Sequence, residues 1–134
     1  MPPVFLDANI PMYMVGGDHP NRALAGALTD RFAKARVPMV TDAEVFQEIL
    51  HRYHSINRQE RIQPCFDLVL ALVSEVLPLD LATVQTAKSV LDEVRGLSAR
   101  DAIHVAAMRV HHVFEIASFD ADYDRVPGIR RISS

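Results

Sequence analysis

The seven residues VFLDANI, at positions 4–10, decide how this chain folds. An apolar run, residues 4–6, ends directly at an acid, Asp7. Such a run is typical of a strand that is buried on both faces, as in a parallel sheet covered by helices on each side. We therefore predict that residues 4–6 form the first and central strand of an α/β domain.

Outward from this stretch, short apolar runs alternate with segments of helical periodicity. Further strands are predicted at residues 37–40, 76–79, 113–117 and 129–132, and helices at residues 18–36, 42–54, 58–74, 82–95 and 98–111. This alternation predicts a three-layer α/β/α sandwich around a central parallel sheet of about four or five strands.

Local signals set several helix boundaries. Thr41 and Glu44 have the spacing of a capping box, with Thr41 as the N-cap of the helix over residues 42–54. Pro64 is expected to kink or restart the following helix, because proline cannot donate the backbone hydrogen bond of a helix interior. Ser98 is expected to cap the last helix.

Length and composition limit the class of protein. The chain has 134 residues, 49% of them hydrophobic, with a single Cys and a net charge of −3. These values predict one domain over residues 1–134, with no disulfide framework and a reducing compartment. No run is long enough to span a membrane and no leader is recognised, so we expect a cytoplasmic protein. The net charge also excludes the global basic footprint of a simple DNA-coating protein.

Acids are predicted to gather at one edge of the sheet. In open α/β sheets, ligands bind beyond the carboxyl ends of the strands. The acids placed there follow a strand or lie on a helix that begins at that edge. The candidate catalytic and metal-binding residues are Asp7, Glu48, Asp101 and Asp120.

Each of these acids also has a structural explanation. Asp7 can cap a short helix that begins at Asn9, and Asp101 can complement the helix dipole in a first turn. Glu48 can lie on a solvated helix face, although its angular position is nearer the buried side than that of Glu44. The functional interpretation depends on all of them meeting at one edge.

The loop at residues 118–124 contains three acids, Asp120, Asp122 and Asp124. A single Asp commonly forms a turn, but three within five residues are more than a turn needs. Asp122 or Asp124 can therefore share or replace the part of Asp120. Asp120 is placed first because it follows Ser118 with one residue between them.

Carboxylates gathered in this way need a cation. Two carboxylates about 5 Å apart repel by roughly 3 kcal/mol at an effective dielectric constant near 20, so a cluster of them favours a divalent metal ion. Oxygen ligands select a hard ion, Mg²⁺ or Mn²⁺. Arginines near the acids suit a phosphodiester backbone, although solvated helix ends explain them equally well.

Histidines offer another kind of metal site. His51 and His54 lie three residues apart on one predicted helix, and Asp101 and His104 repeat that spacing. No Cys is near and no third ligand stands at a motif spacing. We therefore expect helix-surface histidines.

Four stretches together form a recognisable pattern: FLDAN at residues 5–9, VFQEIL at 45–50, SARDAIHVAA at 98–107 and SFDADYDRVPG at 118–128. In order and spacing they resemble the PIN-domain family, and within it the VapC-type toxins of bacterial and archaeal toxin–antitoxin pairs. The match covers essentially the whole chain. One departure is Ala8, where many members carry Thr or Ser.

The resemblance implies a PIN-like sandwich and an Mg²⁺- or Mn²⁺-dependent endoribonuclease that acts as a toxin, with the four candidate acids as its acidic set. It implies that Asn9 and Ser118 support these acids. The arginines that we take as candidate RNA-binding residues are Arg52, Arg58, Arg100 and Arg125.

The resemblance also implies a cognate antitoxin protein and a homodimer. We place both contacts on the helices over residues 42–54 and 58–74. Phe66, Leu70 and Val73 are the apolar candidates there, although core packing explains them as well.

Two other functions remain open. One is a PIN-like binding module without catalytic activity. The other is a phosphotransfer domain that uses Asp7, but Asn9 stands where a phosphatase of this kind has a second Asp. A receiver domain needs a Lys on a late strand, whereas the only lysines, Lys34 and Lys88, lie on predicted helices.

Overall fold

A five-stranded, fully parallel sheet forms the centre of the computed structural model, which describes residues 1–134. Its strands are β1 (Val4–Leu6), β2 (Met39–Asp42), β3 (Glu75–Leu77), β4 (Glu115–Ala117) and β5 (Arg130–Ile132). Their spatial order is β3-β2-β1-β4-β5. The first strand of the chain therefore lies in the middle of the sheet, as its continuous apolar sequence predicts.

Helices cover both faces of this sheet. They are α1 (Asn9–Val15), α2 (Pro20–Lys34), α3 (Ala43–Ser55), α4 (Ile62–Leu72), α5 (Leu81–Glu93) and α6 (Ala99–Val110), with short 3-10 helices at Gln59–Arg61 and Ala121–Arg125. Val4 and Leu6 pack into the apolar core that contains α2, while Phe5 packs into a larger core with α3 to α6. The predicted α/β/α sandwich is confirmed. None of these helices has the length and apolar character needed to cross a membrane.

Strand β2 and helix α3 meet one residue later than the capping box predicts. Asp42 is the N-cap, and its Oδ1 accepts a hydrogen bond of 3.0 Å from the Val45 backbone N–H. Thr41 still belongs to β2, where its hydroxyl donates to the Leu6 carbonyl at 2.9 Å. The prediction of Thr41 as the N-cap is therefore wrong, because pairing with β3 keeps Thr41 in the extended conformation.

The surroundings of Glu44 differ from the prediction, whereas the position of Pro64 agrees with it. Glu44 does not reach back to the N-cap but forms an ion pair of 3.4 Å with Arg100 of α6 and is 8% exposed. It is therefore more buried than Glu48, the reverse of the prediction from angular position, because α6 covers this side of α3. Pro64 lies in the first turn of α4, after a 3-10 turn, so the predicted restart of the helix is confirmed near this position.

The parallel strands all end at one edge of the sheet. Asp7 follows β1, Asp42 ends β2, and Ser118 follows β4. Helix α6 has Ser98 as its N-cap, as predicted, with the Ser98 hydroxyl accepting from the Asp101 backbone N–H at 3.1 Å. Residues far apart in the sequence therefore meet at this edge, where ligands of such sheets bind.

Candidate active site

Asp7 is held in one orientation by three hydrogen bonds. Its Oδ1 accepts from the Ala8 backbone N–H at 2.8 Å, and its Oδ2 accepts from the Ser118 hydroxyl at 2.6 Å and from the Asn9 amide at 3.2 Å. The residue is 4% exposed. It does not cap α1, whose N-cap is Ala8 without a side-chain bond. The capping explanation therefore does not account for this buried acid.

Asn9 and Ser118 join the ends of β1 and β4. The Asn9 amide nitrogen donates to the Ser118 hydroxyl at 3.2 Å, and its amide oxygen accepts from the Phe119 backbone N–H at 3.3 Å. Ser118 also accepts from the Asp120 backbone N–H at 3.0 Å. The two side chains thus connect Asp7 to the loop that contains Asp120.

Glu48 reaches the same edge from α3 and contacts a buried histidine. The Glu48 Oε1 lies 3.3 Å from Nε2 of His104, whose Nδ1 lies 2.8 Å from the Asp42 Oδ2. His104 is fully buried, and its Nε2 is 4.0 Å from Asp7 Oδ1. Burial lowers the pKa of His104, but the hydrogen bonds to Asp42 and Glu48 outweigh it and hold the pKa well above the usual value. His104 is therefore a charged link between α3 and α6.

The expectation of surface histidines is wrong for His104, whereas His51 and His54 are exposed. The sequence contained a signal for this, because residues three apart lie on one face of a helix. Because Asp101 lies at the site, His104 on the same face of the helix is also directed toward the site. No spacing in the sequence indicated that Asp42 is the hydrogen-bond partner of His104.

A second group of acids lies beside the first. Asp101, Asp120 and Asp122 each offer a carboxylate oxygen, and these atoms all lie within 4.8 Å of one another. The Tyr123 hydroxyl donates to Asp101 Oδ1 at 2.9 Å. Burial raises the pKa of Asp101, with a further increase from the charge of Asp120, although the bond from Tyr123 opposes both.

The electrostatics connect the two groups. The pKa of Asp7 is raised to about 6, and burial is the main cause. The charge of His104 and the bond from Ser118 oppose this increase, whereas the charges of Glu48 and Asp101 add to it. Desolvated carboxylates that repel each other in this way are stabilised by a cation.

The carboxylates fit a divalent ion. Asp7 and Glu48 each offer an oxygen within 4.8 Å of the other and of His104 Nε2, and the neighbouring group supplies only oxygens. The charged His104 holds a proton on each ring nitrogen, so it orients Glu48 and leaves metal binding to the acids. Carboxylate oxygens are the ligands that Mg²⁺ and Mn²⁺ prefer. The four candidate acids thus form two adjoining groups rather than one ring: Asp7 and Glu48 in the first, Asp101 and Asp120 in the second.

The acids of the 118–124 loop have different surroundings. Asp120 Oδ1 accepts from the Asp122 backbone N–H at 2.9 Å, so it also forms the turn. Asp122 stands with Asp101 and Asp120, whereas Asp124 accepts hydrogen bonds from Nε and Nη2 of Arg131, at 3.0 and 3.1 Å. Arg131 holds the pKa of the Asp124 carboxyl below its usual value. Of the two alternatives to Asp120, only Asp122 lies at the acid group.

The four candidate RNA-binding arginines are not equivalent. Arg58 pairs with Glu60 at 3.6 Å, Arg100 with Glu44 at 3.4 Å, and Arg125 with Asp122 at 3.4 Å. The Arg52 guanidinium has no such partner in the chain and lines a depression that also contains Glu48 and Arg100. Arg52 and Arg100 therefore lie nearest to the acids of α3.

Comparisons with known proteins agree on one family. The model of the family described as "PIN domain" matches residues 4–129. The curated relative "Ribonuclease VapC13" of Mycobacterium tuberculosis is 45% identical over 130 residues, which are 97% of this chain and 99% of the relative.

Solved structures show the same fold. The structure of VapBC2 from Rickettsia felis, bound to a DNA fragment from its promoter, matches with a TM-score of 0.74 at 16% identity over 97% of each chain. VapC20 of Mycobacterium tuberculosis, described as a Sarcin-Ricin loop cleaving toxin, matches with a TM-score of 0.72 at 19% identity over 90% of this chain and 92% of that chain.

Proposed function

The chain belongs to the PIN-domain family, and from this premise we propose that it is a metal-dependent endoribonuclease that acts as the toxin of a toxin–antitoxin module. The observation that carries the proposal is the buried Asp7 at the end of the central strand, with Glu48 on one side and the Asp101, Asp120 and Asp122 carboxylates on the other. Relatives named ribonucleases, similar over nearly their whole length, support the same activity.

The acids Asp7, Glu48, Asp101 and Asp120 would hold Mg²⁺ or Mn²⁺, with Asp122 beside them. When bound, such an ion supplies Lewis-acid chemistry at a phosphodiester and lowers the pKa of water. The remaining side chains orient these acids. Asn9 and Ser118 fix Asp7 and connect it to Asp120, while His104 holds Glu48 against α6.

Two protein contacts belong to the proposal. Several similar solved structures are toxin–antitoxin complexes, including that of VapBC2, which supports a cognate antitoxin as partner. We propose a homodimer through α3 and α4 and a cytoplasmic location. Of the three apolar candidates, only Leu70 is well exposed, at 57%, whereas Phe66 and Val73 pack against the core.

No observation favours the phosphotransfer alternative. Asn9, not a second Asp, stands two residues after Asp7, and Lys34 and Lys88 lie on α2 and α5 rather than on a late strand. The remaining alternative is a binding module without catalysis. It would use the same acids, so a cleavage assay is needed to distinguish it from a nuclease.

The test is incubation of the purified chain with a pool of single-stranded RNA, in Mg²⁺ or Mn²⁺ and in EDTA. We expect metal-dependent cutting by the wild type, its loss in Asp101→Asn, and unchanged cutting by Asp30→Asn, which removes an exposed acid of α2. Equal cutting by Asp101→Asn would contradict the assigned acids. No cutting by the wild type with either metal would favour the binding module.

A further inference from the structure

A groove of about 410 Å³ runs along α1 and the end of α3, next to the acids. We call it the arginine groove; its principal lining residues are Asn9, Met12, Tyr13, His19, Arg52 and Arg61. Asn9, Met12 and Arg52 also line the depression that contains Glu48. The arginine groove is therefore continuous with the acid site, on the side where the Asn9 amide holds Asp7.

The positive charges of the arginine groove have no partner within the chain. Neither the Arg52 nor the Arg61 guanidinium forms an ion pair or hydrogen bond within the chain, in contrast to Arg58, Arg100 and Arg125. One exposed acid, Asp18, also lines the groove. Two free guanidinium groups beside a site for phosphodiester chemistry are suited to backbone phosphates, which Arg contacts in most nucleic-acid complexes.

Two aromatic rings, those of Tyr13 and His19, also line the arginine groove. The Tyr13 and His19 rings are 4.7 Å apart at an interplanar angle of 34°, and the Phe119 ring packs edge-on to Tyr13 at 5.6 Å. His19 Nδ1 accepts from the Asn21 backbone N–H at 3.0 Å as the cap of α2, which fixes its ring. Aromatic side chains beside a positive groove are the arrangement with which proteins stack unpaired bases.

We propose that the arginine groove binds the RNA strand on one side of the bond that is cut, with Arg52 and Arg61 on successive phosphates and a base stacked on the Tyr13–His19 pair. This inference rests on the proposed ribonuclease function. It assigns residues that bind the RNA, next to the acids that are proposed to cut it. The stacked base is unpaired, so the substrate is single-stranded or looped at this position. Stacking alone does not select one base.

Binding is measured without cleavage, in the Asp7→Asn background, by the fluorescence anisotropy of an end-labelled single-stranded oligoribonucleotide across a salt series. Arg52→Gln and Arg61→Gln should each weaken binding and lower the salt slope by about 0.7. Arg36→Gln is the matched control, because Arg36 precedes β2 at the opposite edge of the sheet and is exposed.

The stacking contact has its own pair of variants. Tyr13→Leu keeps an apolar side chain but removes the ring, and should weaken binding by about five- to a hundredfold with an unchanged salt slope. Tyr13→Phe keeps the ring and should bind as the parent does, because the Tyr13 hydroxyl has no hydrogen bond within the chain. Circular dichroism of each variant confirms that it is folded.

The outcomes separate this inference from the proposed function. If the wild type cuts RNA but Arg52→Gln, Arg61→Gln and Tyr13→Leu bind as Arg36→Gln does, the inference is overturned and the nuclease stands. The inference is overturned in the same way if these variants lose only the binding of a protein partner. If the wild type cuts no RNA, the proposed function fails whatever the anisotropy shows.

Discussion

The Asp7 carboxyl makes stability depend on pH in the metal-free protein. Burial raises its pKa in the folded state to about 6, from a usual value of 3.8. Between these values the folded chain holds a proton that the unfolded chain has lost, so stability falls as pH rises through this range. A shift of this size corresponds to at most about 3 kcal/mol. His104, whose pKa is raised well above its usual value of 6.5, stays charged over this range and does not obscure the effect.

Urea unfolding in EDTA, from pH 4 to pH 7, measures this dependence. Asp7→Asn removes the titrating group, so the variant should gain stability relative to the wild type as pH rises from about 4 to about 6. A difference between the two proteins that is constant over this range would show that the pKa of Asp7 is not raised in the folded state.

His104 holds two carboxylates that have no other cation. His104→Gln leaves Asp42, which is 1% exposed, without its charged partner, and we expect a loss of about 3 kcal/mol in the free energy of unfolding. His51→Gln, an exposed histidine of α3, is the matched control and should change stability by no more than about 0.5 kcal/mol. Equal unfolding curves for the two variants would mean that His104 contributes no more than a surface residue.

These residues show how far the sequence alone reaches. Asp7 was placed at the sheet edge by a strand that ends in an acid, and Asp101 by its distance from Ser98, because both signals are local. The contact between Asp42 and His104 joins residues 62 positions apart, and it depends on how α6 packs against β2 and α3. No spacing in the sequence contains that information.

At the scale of the element, the cap of α6 positions Asp101. Ser98→Ala removes the bond to the Asp101 backbone N–H and should lower stability by about 1 kcal/mol. Because this turn also presents the Asp101 carboxylate, we expect cleavage of RNA to fall as well. Asp80→Ala removes the equivalent bond to Thr83 at the start of α5, a helix that contributes none of the candidate acids, and should lower stability while leaving cleavage unchanged. Equal cleavage of RNA by the two variants would show that the Ser98 cap does not position Asp101 for the reaction.

Element boundaries depended on sheet pairing more than on local motifs. Thr41 and Asp42 are both good N-cap residues, so the sequence allowed either start for α3. The pairing of Thr41 with Val76 of β3 decided in favour of Asp42. This shift by one residue directs the Asp42 carboxylate to His104. It explains why the helix could be predicted from the sequence whereas the contact of Asp42 with His104 could not.

At the scale of the whole molecule, α3 and α4 present the apolar surface on which we place the homodimer. Leu50 of α3 and Leu70 of α4 are 49% and 57% exposed, while the Phe46 and Phe66 rings beneath them pack edge-on at 5.1 Å. Exposed leucines over a packed aromatic pair are a common basis for association, because the contact buries apolar area without rearranging the core.

The proposed homodimer should therefore dissociate to folded monomers in Leu70→Glu, since burying an unpaired carboxylate in an interface costs far more than leaving it in water. A wild-type chain that sediments as a monomer at every concentration would contradict the proposed homodimer. The matched control is Val110→Glu, because Val110 is 48% exposed at the end of α6 and lies outside this surface. Sedimentation velocity over a range of protein concentrations measures the effect, with circular dichroism to confirm folding. A dimer that survives Leu70→Glu but dissociates with Val110→Glu would move the interface from α4 to the end of α6.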